Sequence, residues 1–150
     1  MMENAVQIKN WVLGVGAAFG SFIAGAIGGV DAALGLLIGM MAADYLTGVL
    51  VAAFWKRSNK SRSGTLDSRA GFKGLCKKGV ILLLVWLGTL LDTAVGASYV
   101  RTAVVLFFIG NEGLSLLENL GLMGMPYPPF FKAMLEALRD KGGAGEEKEA

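Results

Sequence analysis

The chain has 150 residues, 54% of them apolar and 17% charged, with a mean hydropathy of +0.56, whereas soluble domains run at roughly 45–50% apolar and about 25% charged. With no histidine and a single cysteine, Cys76, the sequence excludes zinc clusters, histidine-based acid–base catalysis and an internal disulfide. The net charge of +2 is too small to indicate a nucleic-acid binder, and no metal site or cofactor is expected.

From Trp11 to Val30 no charged residue occurs, which at about 1.5 Å per residue gives about 30 Å, the thickness of a bilayer core. This is the first expected span. The alternative is a signal peptide, with Lys9 before the apolar run and Ala24-Gly25-Ala26 as its cleavage site. Gly28-Gly29-Val30-Asp31 then offers a tight turn. A second run, Ala32 to Trp55, is interrupted only by Asp44, so the two runs read as an antiparallel hairpin.

Lys56 to Lys78 carries eight basic residues against Asp67, a net +7. With Ser58-Asn59-Lys60-Ser61-Arg62-Ser63-Gly64 in its middle it reads as a loop, and attraction to anionic lipid is sufficient to explain its charge, so it is assigned no site. Cys76, among Lys73, Lys77 and Lys78, is either a reactive thiol or a plain interfacial cysteine. A third run follows from Gly79 to Val95, and after the turn Gly96-Ala97-Ser98 a fourth, less apolar one from Tyr99 to Leu120. Beyond Pro126, Pro128 and Pro129, residues 130–139 set Phe130, Phe131, Met134, Leu135 and Leu138 opposite Lys132, Glu136 and Arg139. That spacing predicts a short amphipathic helix at the membrane interface. Residues 140–150 are expected to be a disordered tail.

The fold class expected is therefore an all-α membrane protein, about four transmembrane helices in two hairpins plus an amphipathic helix, within a single domain over residues 1–138. The positive-inside rule puts the basic loop and both termini in the cytoplasm. Three spans, with the fourth run lying flat or the first removed, is the alternative.

Small residues recur every four positions at Gly16, Gly20, Ala24 and Gly28 and again at Gly35, Gly39, Ala43 and Thr47. Such faces let membrane helices pack closely, within or between subunits. Polar groups in the runs are the other signal. Asp44, Asp92 and Glu112 each face a cost of at least ~2.5–3.5 kcal/mol if ionised at bilayer centre, so they are expected to be paired, protonated or hydrated. Arg101 and Glu112 share a face of the fourth helix, beside a stripe of Asn111, Ser115 and Asn119, with Glu118 nearby. Mutual satisfaction inside a static bundle, for instance Asp92 with Arg101, competes with a water-lining role.

Asp44-Tyr45-Leu46-Thr47-Gly48, Gly71-Phe72-Lys73-Gly74-Leu75 with Lys77-Lys78, Arg101-Thr102-Ala103 with Asn111-Glu112-Gly113-Leu114-Ser115, and Glu118-Asn119-Leu120-Gly121 before Pro126 resemble the toxin-secretion/phage-lysis holin family, in order, over roughly Asp31 to Leu138. The resemblance implies a non-enzymatic phage protein of the bacterial cytoplasmic membrane. Such a protein associates with copies of itself and opens the membrane to an endolysin, or to a large toxin, without needing to touch its passenger. The paired starts that many such proteins use find no support here, because Met1 and Met2 are adjacent. Anionic lipids are expected partners and nucleic acid is not. The rival readings are a small proton- or cation-coupled transporter using Asp44, and a non-conducting membrane scaffold.

Overall fold

The computed structural model describes residues 2–61 and 63–143, in which all regular structure is helical: α1 (Met2–Ala26), α2 (Ala32–Leu50, continued by a π-helical turn over Val51–Trp55), α3 (Ser68–Val95), α4 (Val100–Leu122) and α5 (Pro129–Gly143). The chain falls into two units, divided after Val30.

In the first unit, α1 ends where Gly28 and Gly29 adopt φ of 82° and 86°, a left-handed conformation open to glycine without penalty. The Gly29 amide then bonds to the Ala24 carbonyl at 2.8 Å, closing the helix as a Schellman-type cap. This stop shortens the expected first span. Between Trp11 and Ala26 the uncharged helix measures only about 24 Å, and the turns before it carry Glu3, Lys9 and Asn10. Three helices among the described residues are long and apolar enough to cross a membrane, Ala32–Trp55, Ser68–Val95 and Val100–Leu122; α1 is not one of them, so the expected count of four is not confirmed.

The second unit is built around α4. Asp31 starts α2 by accepting the Leu34 amide at 2.8 Å, and the buried residues Leu34, Leu37, Met41 and Asp44 then follow at alternating three- and four-residue steps. That spacing makes one stripe of a helix. Ile81, Val85 and Gly88 form the matching stripe of α3, and Val105, Ile109 and Leu117 that of α4. Gly88 brings α3 close to the start of α4, since a Cβ there would lie 3.0 Å from the Arg101 Cα. Only 17–33% of the most apolar windows of the three long helices is buried, and Leu36, Leu46, Leu83, Leu87 and Leu91 are exposed. Contiguous apolar surface of that extent needs a partner or a lipid environment.

Two expectations are corrected here. The basic segment is a loop only as far as Asp67, which caps α3 by accepting the Arg69 amide at 2.8 Å; Arg69, Lys73, Lys77 and Lys78 therefore stand on a helix. Arginine, alanine, leucine and lysine are good helix formers, so charge alone is a poor reason to read a loop. Arg62 lies outside the described residues. The amphipathic helix, in turn, does not stand apart from the bundle but runs antiparallel along α4. Leu135 and Arg139 meet Gly110 and Gly113, while Gly142 meets Phe107 and Ala103. The missing side chains of Gly110, Gly113 and Gly142 permit this approach. Because α5 continues to Gly143, helix also occupies the first residues of the expected tail; residues 144–150 lie outside those described.

Candidate functional site

Two layers of charge cross the second unit. The first joins the ends of three helices. From α3, Asp92 accepts the backbone amides of Val100 and Arg101 at 2.9 and 3.0 Å, satisfying donors that every helix N-terminus leaves open. The Arg101 guanidinium instead donates to Asp31 at 2.7 Å, so the expected Asp92–Arg101 contact exists through the backbone of Arg101. The Arg101 hydrogen bond, then the Leu34 amide, holds the Asp31 carboxyl below its ordinary value of 3.8.

A group whose pKa falls on folding stabilises the fold above its unfolded pKa and loses that contribution as pH falls through the lowered value. The Asp31 contribution is therefore constant at neutral pH and fades only below pH 3.8. Asp31→Ala is expected to cost about 1 kcal/mol, chiefly through the lost cap, and Asp31→Asn less, because the exposed ion pair is worth little. Denaturation of the detergent-solubilised protein at pH 7 checks both.

The second layer lies deeper in the bundle. Asp44 on α2 is 4% exposed and receives four neighbours: Lys60 Nζ at 2.9 Å, Lys78 Nζ at 2.9 Å, Ser115 Oγ at 2.7 Å and Asn119 Nδ2 at 3.0 Å. Lys78 also donates to Glu112 on α4, bridging the two acids. Asn119 further donates to the Asp44 carbonyl and to Thr47 Oγ1. Within this cluster two ammonium groups face two carboxylates, and among the described residues no buried side-chain polar atom lacks a hydrogen-bond partner. Buried charge is tolerable on just those terms.

The loop positions Lys60. Ser58 N bonds to the Gly64 carbonyl at 3.0 Å and Ser61 Oγ to the Thr65 carbonyl at 2.7 Å, folding the segment back over α2. Lys56 takes φ 51° at the helix end, and a Cβ on Gly64 would lie 2.5 Å from the Lys56 carbonyl oxygen, so the closure depends on that glycine.

Of the sequence candidates, Asp44, Glu112, Ser115 and Asn119 come together, and Asp92 and Arg101 meet in the other layer. Asn111 is exposed beside the cluster and lines an adjoining cavity. Glu118 points elsewhere, to a space shared with Lys132, Glu136 and Arg139 of α5. Thr47, expected to serve packing, is a member of the hydrogen-bond network, where its hydroxyl also donates to the Ala43 carbonyl at 2.8 Å. Among the described residues nothing lies within 4 Å of where a Cβ would point on Gly16, Gly20, Gly35 or Gly39. Lys60 and Lys78 are the residues that sequence reasoning missed, having assigned the basic segment no site.

The layers are close together. From Asp92 to Lys78 along α3 is about 21 Å, and from Arg101 to Glu112 along α4 about 16 Å, against a hydrocarbon core of about 30 Å. A hydrocarbon core of that thickness, crossed by these helices, would have to thin or take in at least one of the two layers.

A model of the bacteriophage holin family matches residues 21–140. The chain belongs to the bacteriophage holin family. Similar proteins include an uncharacterised protein of Listeria monocytogenes, 36% identical over 95% of this chain and 94% of its own length. An uncharacterised 14.9 kDa protein from the nagH 3′ region of Clostridium perfringens is 32% identical over 93% and 99%. A probable holin of Bacillus phage phi105 is 32% identical over 77% and 81%. No solved structure matches the chain. The matched segment of this holin-family chain contains both charged layers.

Proposed function

We propose that this holin-family protein accumulates in the bacterial cytoplasmic membrane, associates with copies of itself, and opens lesions through which an endolysin, or a toxin, passes without direct contact. The observation that carries the proposal is the second charged layer: carboxylates and ammonium groups held inside helices whose outer faces are apolar. In hydrocarbon those groups must stay paired, at a cost of at least ~2.5–3.5 kcal/mol for each one left bare. Water relieves the same cost. Two arrangements thus compete: a closed bundle in which Asp44, Lys78 and Glu112 satisfy one another, and an assembly in which they and the Ser115–Asn119 stripe line an aqueous opening.

Packing of the Gly35–Gly39 face, and of the small residues of α1, against further copies supplies association. The loop faces the cytoplasm by the positive-inside rule, where anionic lipid holds it. The four-span topology with both termini inside requires α1 to cross despite its short uncharged length, with Lys9 reaching back to the headgroups. Charge displaced across the field couples the opening to membrane potential, at about 2.3 kcal/mol per charge per 100 mV.

The transporter reading loses its main support, because Asp44 is already held by two lysines and two further donors and is poorly placed to carry a proton. Expression with an endolysin, followed by potassium release and turbidity, tests the proposal. Glu112→Leu removes one partner of Lys78 and is expected to shift the onset of lysis; lysis on the wild-type schedule sinks the role given to Glu112. Absence of potassium release from the wild type sinks the lytic reading itself.

A further inference from the structure

Beside the charged cluster, α2, the loop, the first turns of α3 and the Asn111–Ser115 turn of α4 line an open-sided cavity of about 290 Å3, at the small end of ligand sites, which run from roughly 300 to 1,000 Å3. Its floor is self-neutralised, Lys60 and Lys78 answering Asp44 and Glu112. Its wall is not. Lys73 and Lys77 line the cavity at i, i+4 on α3, and among the described residues neither pairs with a carboxylate. The remaining acid of the lining, Asp67, has one oxygen committed to the Arg69 amide.

Four lysines against three acids leave the lining one positive charge in excess. Tyr45 and Ser58 add hydroxyl groups to it. Glycine makes the room: the Tyr45 side chain lies over Gly71 and Gly74, at 3.5 and 3.7 Å from where their Cβ atoms would be. Leu46, Leu50, Phe72 and Leu75, each next in sequence to a residue of the lining, are exposed apolar side chains.

We propose that this cavity binds the phosphate of an anionic phospholipid headgroup, with Lys73 and Lys77 as its cationic clamp and the acyl chains lying along the exposed apolar flank. Phosphodiester monoanion chemistry fits the lining: two ammonium groups provide charge, and hydroxyls provide neutral donors. The volume holds a phosphate with a small headgroup but not a whole lipid, so the chains must leave toward the side where Leu46 and Phe72 lie. Binding here also sets an anion beside Lys60, the half-exposed member of the buried cluster at 47%, and so bears on the pairing of Asp44. The site does not depend on the lytic reading.

The test uses the full chain in nonionic detergent micelles, with native mass spectrometry counting retained lipid. Phosphatidylglycerol is expected to be held about tenfold or more tightly than phosphatidylcholine of the same chain length. Lys73→Gln/Lys77→Gln is expected to erase that preference. Arg57→Gln/Arg69→Gln, which removes equal charge from outside the cavity lining, is expected to retain it. Lys73→Arg/Lys77→Arg keeps the charge and is expected to bind, which separates loss of the site from loss of fold. Equal loss in both glutamine pairs, or no preference in the wild type, overturns the site in favour of diffuse attraction. Displacement of the lipid by millimolar inorganic phosphate overturns the lipid assignment and makes free phosphate the ligand. The assay requires no lesion, so failure of binding and failure of lysis are scored separately.

Discussion

Replacing Lys78 with leucine is expected to be among the most damaging single substitutions in the protein, costing about 3–5 kcal/mol, the range for removing one partner from a buried ion pair. Lys78 is 12% exposed at its side chain and bridges carboxylates exposed by only 6% and 9%. Without it Glu112 loses its ammonium partner, and Asp44 keeps a single ammonium, the half-exposed Lys60, beside the neutral donors Ser115 and Asn119. The penalty belongs to the stranded carboxylates rather than to the lost lysine. Neutralising them should therefore restore most of the stability: Lys78→Leu combined with Glu112→Gln and Asp44→Asn is expected to be more stable than Lys78→Leu alone. Denaturant titration in micelles, followed by helical circular dichroism, checks the order. A Lys78→Leu protein as stable as the wild type would show that the acids are already hydrated, and the closed bundle would lose its electrostatic basis.

How far the sequence could reveal this cluster depends on the kind of signal each residue carries. Asp44 and Glu112 are legible because an acid in an apolar run violates the local pattern, and Ser115 and Asn119 because they repeat at helical spacing. Lys60 and Lys78 are not. They lie 16 and 34 positions from Asp44, in a segment where abundant charge already has an adequate explanation. Lys78 was recoverable from Asp67, whose side chain begins a helix and thereby makes the basic stretch a continuation of α3. The apolar runs fall on α2, α3 and α4, because length and apolar content are what hydropathy measures, but the third run starts at Gly79 and takes in only the latter part of a helix that begins at Ser68. Hydropathy overestimated the first span because glycine ends α1 at Ala26, and it could not place α5, whose position is set by the absence of side chains at Gly110 and Gly113.

That absence gives the other large effect. A Cβ at Gly110 would lie 2.5 Å from the Leu135 carbonyl oxygen and 2.6 Å from the Arg139 amide nitrogen. Both are backbone atoms, so no side-chain rotation makes room. Overpacking of a well-fitted contact costs about 1–3 kcal/mol, and α5 can escape it as a unit because its fifteen residues bury only one large apolar side chain, Leu135. Gly110→Leu is therefore expected to detach α5 rather than to unfold α4. Lys132, Glu136, Arg139 and Asp140 favour the detached position, since alongside α4 they share the depth of an apolar span, whereas at an interface they meet water. Spin labels at Thr102 and Asp140, in a Cys76→Ser background, would report the change as a longer and broader distance distribution. An unchanged distribution in Gly110→Leu would mean that α5 is held by more than this seam. The same variant reads out the role of α5 in lysis: if the helix covers a surface of α4 that copies use to associate, its release should bring the onset of potassium leakage forward.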